Sequence, residues 1–228
     1  MKKVKFIMAL LLTCVALQAQ NAFFPTKEGI TMLYVNQDAK GKASSHTQYT
    51  VKEVTGSGDN LTISFVMELL DKNKKPRSKS SSEIPCTVTI KDGVVFMDMN
   101  SMFAEQITSP DIKMDITGVP LELPSNLQAG QSLKDADMTL TMDMGIMKMR
   151  TDMKMTDGQC EAVEEVSVPA GTFTCHKITQ TITTTILRKV VVTTTSTWYA
   201  SGIGTVKSET FDSKKKLTGS TELLSITM

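Results

Sequence analysis

Residues 138–155 read MTLTMDMGIMKMRTDMKM and hold seven of the chain's sixteen methionines. Met138, Leu140, Met142 and Met144 alternate with Thr139, Thr141 and Asp143. Beyond Gly145-Ile146 the alternation restarts one residue out of phase, with Met147, Met149, Met153 and Met155 set against Lys148, Arg150, Asp152 and Lys154. A period of two marks β-strands, whereas helical spacing would scatter the charges onto the methionine face. A two-residue turn at Gly145-Ile146 reverses the chain and accounts for the jump in phase. The register that follows sets Met144 opposite Met147, Met142 opposite Met149 and Met138 opposite Met153. On the other face it sets Asp143 against Lys148 and Asp137 against Lys154. One register thus makes both faces complementary.

Such a hairpin presents an apolar wall of Met138, Leu140, Met142, Met144, Met147, Met149, Met153 and Met155. Burying one such side chain is worth roughly 1.5–3 kcal/mol, so the wall is expected to face a core or a cavity. Core packing is the ordinary fate of a buried strand face. The flexible, polarizable thioether also suits a surface that adapts to varied apolar ligands, where Leu or Ile would specify a fixed core better. A third reading is a Cu(I) site at Met142, Met144, Met147 and Met149, since thioethers favour that ion. Against it, neither His46 nor His176 is near in sequence, and a strand face holds neighbouring sulfurs several ångströms apart.

Working outward, the remaining chain reads as more strands. TQYTVKEVT (47–55) and NLTISFVMELL (60–70) are joined by Gly56–Asp59. The basic, Ser-rich run 71–82, broken by Pro76, reads as a solvated loop tip rather than an anion site. EIPCTVTIKDGVVFMDMN (83–100) is a hairpin about Asp92-Gly93, with Ile90 opposite Val95, Val88 opposite Met97 and Cys86 opposite Met99. A single short helical turn is expected near 100–107, capped by Asn100 or Ser101. A strand at 112–117, one ending at Val168, two Thr-rich strands joined near Arg188 and a final hairpin about Ser213–Lys216 complete the pattern. The fold class is therefore all-β: an antiparallel meander of about ten to fourteen strands closing into a sandwich or barrel, with at most one short helix.

The N-terminus, MKKVKFIMALLLTCVALQAQ, has a basic start, a short apolar run and small residues at its end. It reads as a signal peptide over 1–19, leaving 20–228 as one β domain of an exported protein, periplasmic or associated with the outer membrane. A lipid anchor at Cys14 is disfavoured because Thr13 fits a lipobox poorly. No later apolar stretch is long enough to span a membrane, so the mature chain is expected to be soluble. Losing Lys2, Lys3 and Lys5 leaves 22 basic against 24 acidic residues, a net charge of about −2. That balance offers no overall field to gather nucleic acid or an anionic membrane. Three cysteines remain in a compartment that permits disulfides. Cys160 and Cys175 flank one expected turn and are the preferred pair of three possible pairings, with Cys86 a packing residue outside the bond.

Nothing in the sequence nominates catalysis. There are two histidines, no GxSxG, no HExxH and no glycine-rich phosphate loop. Glu164 and Glu165 point to opposite faces of their strand. The expectation is a non-catalytic protein without a cofactor. It either binds an apolar or lipid-like molecule against the methionine wall, or serves as a structural or protein-interaction module, with a copper binder as the third reading.

EEVSVPAGTFTCHKI (164–178), STWYASGIGTVKSE (196–209) and LPSNLQAGQSLKDA (123–136) together resemble the TapB-like exported β-proteins of Bacteroides-type Gram-negative bacteria, a group of unknown function. The resemblance covers the chain from about residue 112 onward. It implies an antiparallel barrel or half-barrel, similar in shape to lipocalins and Lol-type lipoprotein carriers, which hold apolar ligands in a curved sheet. It supplies no catalytic residues.

Overall fold

The computed structural model describes residues 22–77, 83–98, 113–143, 145 and 147–228. The signal peptide, Cys14, the short helix near 100–107, Met99, Met144 and Ile146 lie outside them. Among the described residues there is no helix. The described residues form thirteen antiparallel strands in one sheet: β1 (Thr31–Asp38), β2 (Ala43–Ser57), β3 (Asn60–Leu70), β4 (Glu83–Lys91), β5 (Val94–Asp98), β6 (Lys113–Val119), β7 (Leu123–Pro124), β8 (Ala136–Asp143), β9 (Lys148–Val168), β10 (Gly171–Ile186), β11 (Lys189–Ala200), β12 (Gly204–Asp212) and β13 (Leu217–Thr227).

Their order across the sheet is β6-β8-β9-β10-β11-β12-β13-β1-β2-β3-β4-β5-β7. The meander is a ring cut once, because β13 pairs back onto β1 and the cut falls between β7 and β6. These two edge strands are consecutive in the chain and linked by Pro120–Glu122 alone. Four Cα steps reach at most about 14 Å, so the sheet has to curl until its edges nearly meet. It stays open there, as a half-barrel rather than a closed one.

The hairpin register matches the alternation of the sequence. Met142 pairs with Met149, Met138 with Met153, Asp143 with Lys148 and Asp137 with Lys154. The last two pairs are ion pairs of 3.2 and 3.4 Å on the outer face. Asp92-Gly93 turns the chain as expected, with Ile90 opposite Val95 and Val88 opposite Met97. One strand is longer than the sequence suggests: β9 runs unbroken through Asp157, where a bulge and a φ of 56° absorb the break in pattern. The loop before β8 fills the edge of β9 that β8 leaves uncovered. Gly130 N donates to Cys160 O at 2.7 Å, Cys160 N to Gln131 O at 2.9 Å and Leu133 N to Gly158 O at 2.8 Å.

The disulfide expectation is overturned. Cys160 and Cys175 do flank the Pro169-Ala170 turn, but Val168 pairs with Gly171, and that register places Glu164, not Cys160, opposite Cys175. Cys160 lies opposite Ile178, an odd number of residues along β10, so the two thiols point to opposite faces. Cys160 joins the main core with Ile63, Phe65 and Val88; Cys175 packs with Trp198, Ala200 and Val206. Burial raises both thiol pKa values, that of Cys175 to about 11. At pH 8 a pKa of 11 leaves about one thiolate in a thousand, too few to react readily. Native protein is therefore expected to resist alkylation at Cys160 and Cys175 and to take up label at both once unfolded in denaturant, without prior reduction. Mass spectrometry reads this directly, and a requirement for reductant would contradict it.

Candidate functional site

The inner face of the curled sheet encloses a cavity of about 450 Å³. Nearly every part of the sheet contributes: Met32, Tyr34 and Asn36 from β1, Thr47 and Tyr49 from β2, Phe65 from β3, Val95 and Met97 from β5, Met138 from β8, Met155 from β9, Thr197 and Tyr199 from β11, Thr205 and Ser208 from β12 and Thr221 from β13. Successive strands present these side chains because directly opposed residues of an antiparallel pair share a face. Asn36 opposes Thr221, Thr221 opposes Ser208 and Ser208 opposes Thr197, giving one polar row across four strands.

The cavity has two chemically distinct ends. At one, Phe23 and Phe24 enter from the N-terminal segment with Leu121, Leu123 and Ile203. Phe23 is 2% exposed, its ring 5.9 Å from Tyr199 and 4.9 Å from His176. Phe24 lies 5.3 Å from Phe65, and Tyr49 lies 5.8 Å from Phe65 and 5.4 Å from Tyr34. Gly202 N donates to Ala22 O at 2.8 Å, fastening the segment across this end. Toward the other end the lining becomes polar. Asn36 Nδ2 donates to Thr47 Oγ1 at 3.0 Å, Thr221 Oγ1 donates to Asn36 Oδ1 at 2.9 Å, and the Thr197 and Ser208 hydroxyls lie 3.0 Å apart. Among the described residues, none lining the cavity carries a formal charge at neutral pH.

Of the eight wall residues read from the sequence, Met138 and Met155 line this cavity. Met142, Met149, Met153 and Leu140 are half-buried on the same inner face beyond it. There Met114, Met142 and Met149 form one row across three strands, and Ile116, Leu140 and Thr151 the next. Met147 is 55% exposed at the hairpin tip. The four methionines of the copper reading are thus not gathered at one point: Met147 stands in solvent, Met142 and Met149 are held at strand spacing, and Met144 lies outside the described residues. Among the described residues no cluster of three or more His, Cys, Asp or Glu has the geometry to hold a metal ion.

The two histidines have structural surroundings. His46, 5% exposed, donates from Nδ1 to the carbonyl oxygen of Asp71 at 3.0 Å and ties β2 to the loop after β3. His176 is pressed edge-on to Phe23; burial lowers its pKa, and among the described residues its Nδ1 has no hydrogen-bond partner. Among the described residues no nucleophile or carboxylate side chain pairs with either ring. Sequence reasoning missed the aromatic half of the cavity, because Phe23, Phe24, Tyr34, Tyr49 and Tyr199 are dispersed over the chain. The polar row had a signal, the unbroken hydroxyl run Thr193–Thr197 of β11, but not one that told inner from outer hydroxyls.

A family model described as DUF3108-like matches residues 27–223. Two solved structures share the fold. One is a candidate exported protein with a YmcC-like fold from Bacteroides fragilis, 21% identical, with a TM-score of 0.71 over 91% of this chain and 99% of that one. The other is a candidate lipoprotein from Parabacteroides distasonis, 23% identical, with a TM-score of 0.72 over 90% and 98%. Neither that family description nor these two structures carries the TapB-like name. No curated protein matches the chain.

Proposed function

This chain belongs to the DUF3108-like family, and from that premise and the chemistry of its cavity we propose that it is an exported, non-catalytic protein that binds a lipid-like molecule inside the curled sheet. The observation that carries this reading is the 450 Å³ cavity with an aromatic and aliphatic base and a hydroxyl-lined end. Its volume lies within the range of small-molecule sites, which are mostly apolar with a few placed polar groups. The apolar body of the ligand lies against Phe65, Met138 and Met155, and its polar end meets Asn36, Thr197, Ser208 and Thr221. Because the described lining residues have no charge to pair, the buried polar end is uncharged, a hydroxyl or amide rather than a carboxylate or phosphate; an unpaired charge buried there would be costly. The signal-like N-terminus and the two structural relatives described as exported or lipoprotein support an envelope location.

Native mass spectrometry and lipid extraction of protein purified from its own envelope test for a retained ligand. In titrations with a solvent-sensitive naphthylamine dye, a neutral monoacylglycerol is expected to displace the dye better than the fatty acid of the same chain length. Met155→Trp and Ser208→Trp, which narrow the cavity from its apolar and polar sides, are each expected to weaken binding about tenfold, the equivalent of 1.4 kcal/mol. Dye binding unmoved by either substitution would defeat the proposal.

A further inference from the structure

The near-neutral total charge conceals a segregated one. The strands alternate in direction, so each turn belongs to one end of the half-barrel. The end away from Phe23 carries the β1–β2, β3–β4, β8–β9, β10–β11 and β12–β13 connections. Three of these are built alike: Asp38–Lys42 (DAKGK), Asp71–Lys75 (DKNKK) and Asp212–Lys216 (DSKKK). In each, the first residue's N–H donates to the carbonyl of the fifth, at 2.9, 2.7 and 2.9 Å. In each, the aspartate Oδ1 accepts two backbone amides: Lys40 and Lys42, Asn73 and Lys75, Lys214 and Lys216. The carboxylates are thereby directed into the turns while the lysines stand in solvent.

The fourth position of these turns has positive φ: Gly41 at 74°, Lys74 at 63° and Lys215 at 61°. Glycine is the unstrained choice there, so two of the three turns carry a cation where the backbone favours none. Lys72, Arg77, Arg188 and Lys189 extend the basic rim, all exposed, and Lys148 and Arg150 stand there ion-paired with Asp143 and Asp152. At the opposite end the turns 58–59, 92–93, 120–122, 169–170 and 201–203 contain Asp59, Asp92 and Glu122 and no basic residue. Lys134 in the longer connection there is ion-paired with Glu122 at 2.8 Å.

Exposed apolar side chains stand among the cations of the rim. The β10–β11 hairpin outruns its neighbour, since β11 pairs with β12 only as far as Thr193. Its tip bears Leu187, 71% exposed, Val190 at 59% and Val191 at 45%, beside Arg188 and Lys189. Met147 is exposed on the adjacent β8–β9 tip. We propose that this rim docks the protein onto an anionic lipid bilayer, with the lysines over the headgroups and the Leu187–Val191 tip inserted among them. Cations beside exposed aliphatic residues match such a surface, each Lys or Arg contributing by its proximity to anionic lipid. These turns offer no aromatic side chain on which a nucleic-acid base could stack. The polar row of the cavity lies toward the same end, so docking turns that end to the lipid; the proposal holds whether or not the cavity is filled.

Vesicle flotation of the mature chain tests it, with phosphatidylglycerol in phosphatidylcholine against phosphatidylcholine alone. Binding is expected to the first, released by salt. Lys74→Gly with Lys215→Gly relieves backbone strain, so it is expected to leave the melting temperature equal or higher while weakening binding about fivefold or more per lysine in contact. Leu187→Ser is expected to weaken binding without altering its salt dependence, and Lys52→Ser with Lys91→Ser, on the far half, to leave it unchanged. No flotation, equal flotation with phosphatidylcholine alone, equal loss in the far-half variant, or retention on heparin without vesicle binding would each overturn the proposal.

Discussion

Phe65→Ala is expected to lower the stability of the folded chain by about 3–5 kcal/mol, the cost of emptying a buried aromatic site. Phe65 is 1% exposed and sits between Phe24 and Tyr49. It therefore joins the N-terminal segment to the wall of the cavity. A domain has only about 5–15 kcal/mol of net stability, so this one substitution removes a large share of it. The readout is the urea midpoint at unchanged slope. Phe211→Ala, which removes a half-buried ring, is expected to shift the midpoint far less. Equal shifts from the two would mean that the aromatic base of the cavity is not the packed centre described here.

The second large effect is alkaline. The chain has three tyrosines, Tyr34, Tyr49 and Tyr199, and all three line the cavity. Burial raises each phenol: Tyr34 far above its ordinary value, with Tyr49 and Tyr199 adding to the effect; Tyr49 to about 12; and Tyr199 upward despite hydrogen bonds with Thr197 and Thr205. Tyr34 also donates to the carbonyl of Thr205 at 2.8 Å. The partial exposure of Tyr49 and Tyr199 is explained by their contact with the cavity. Unfolded tyrosines ionise near pH 10, so above that pH the native state holds more protons than the unfolded one, and raising the pH favours unfolding. The stability from these phenols is complete below pH 10 and is lost as the pH rises through the native values. Tyr49 alone accounts for roughly 3 kcal/mol. Tyrosinate absorbance is expected to appear in the same cooperative step that abolishes the sheet's circular dichroism. Smooth ionisation near pH 10 with the dichroism intact would contradict the burial of the three rings.

The methionine hairpin was legible in the sequence because its two faces obey one register, apolar against apolar and Asp against Lys. The Asp92-Gly93 hairpin was legible for the same reason. Other features had no such signal. β1 buries Met32 and Tyr34 on one face and Val35 on the other, so it shows no alternation to read. The cysteine pairing failed because flanking a turn is a weaker constraint than register: Val168–Gly171 fixes the pairing, and Cys160 is eight residues before it while Cys175 is only four after. The cavity was half legible. Met138 and Met155 announce themselves, but the rings opposite come from segments far apart in sequence. The basic rim was hidden by the neutral total charge, since only the strand order shows that DAKGK, DKNKK and DSKKK share one end.

The methionines also supply the most direct test of the central claim, that the inner face of the curled sheet bounds a cavity able to hold a lipid-like chain. With protein labelled at the methionine methyl carbons and assigned by single Met→Leu substitutions, a nitroxide-bearing monoacylglycerol should broaden the signals of Met32, Met97, Met138 and Met155. Those of Met147 and Met228, which are 55% and 85% exposed, should stay sharp. Broadening at Met147 and Met228 with Met138 and Met155 untouched would place the chain on the outside of the sheet and contradict the account.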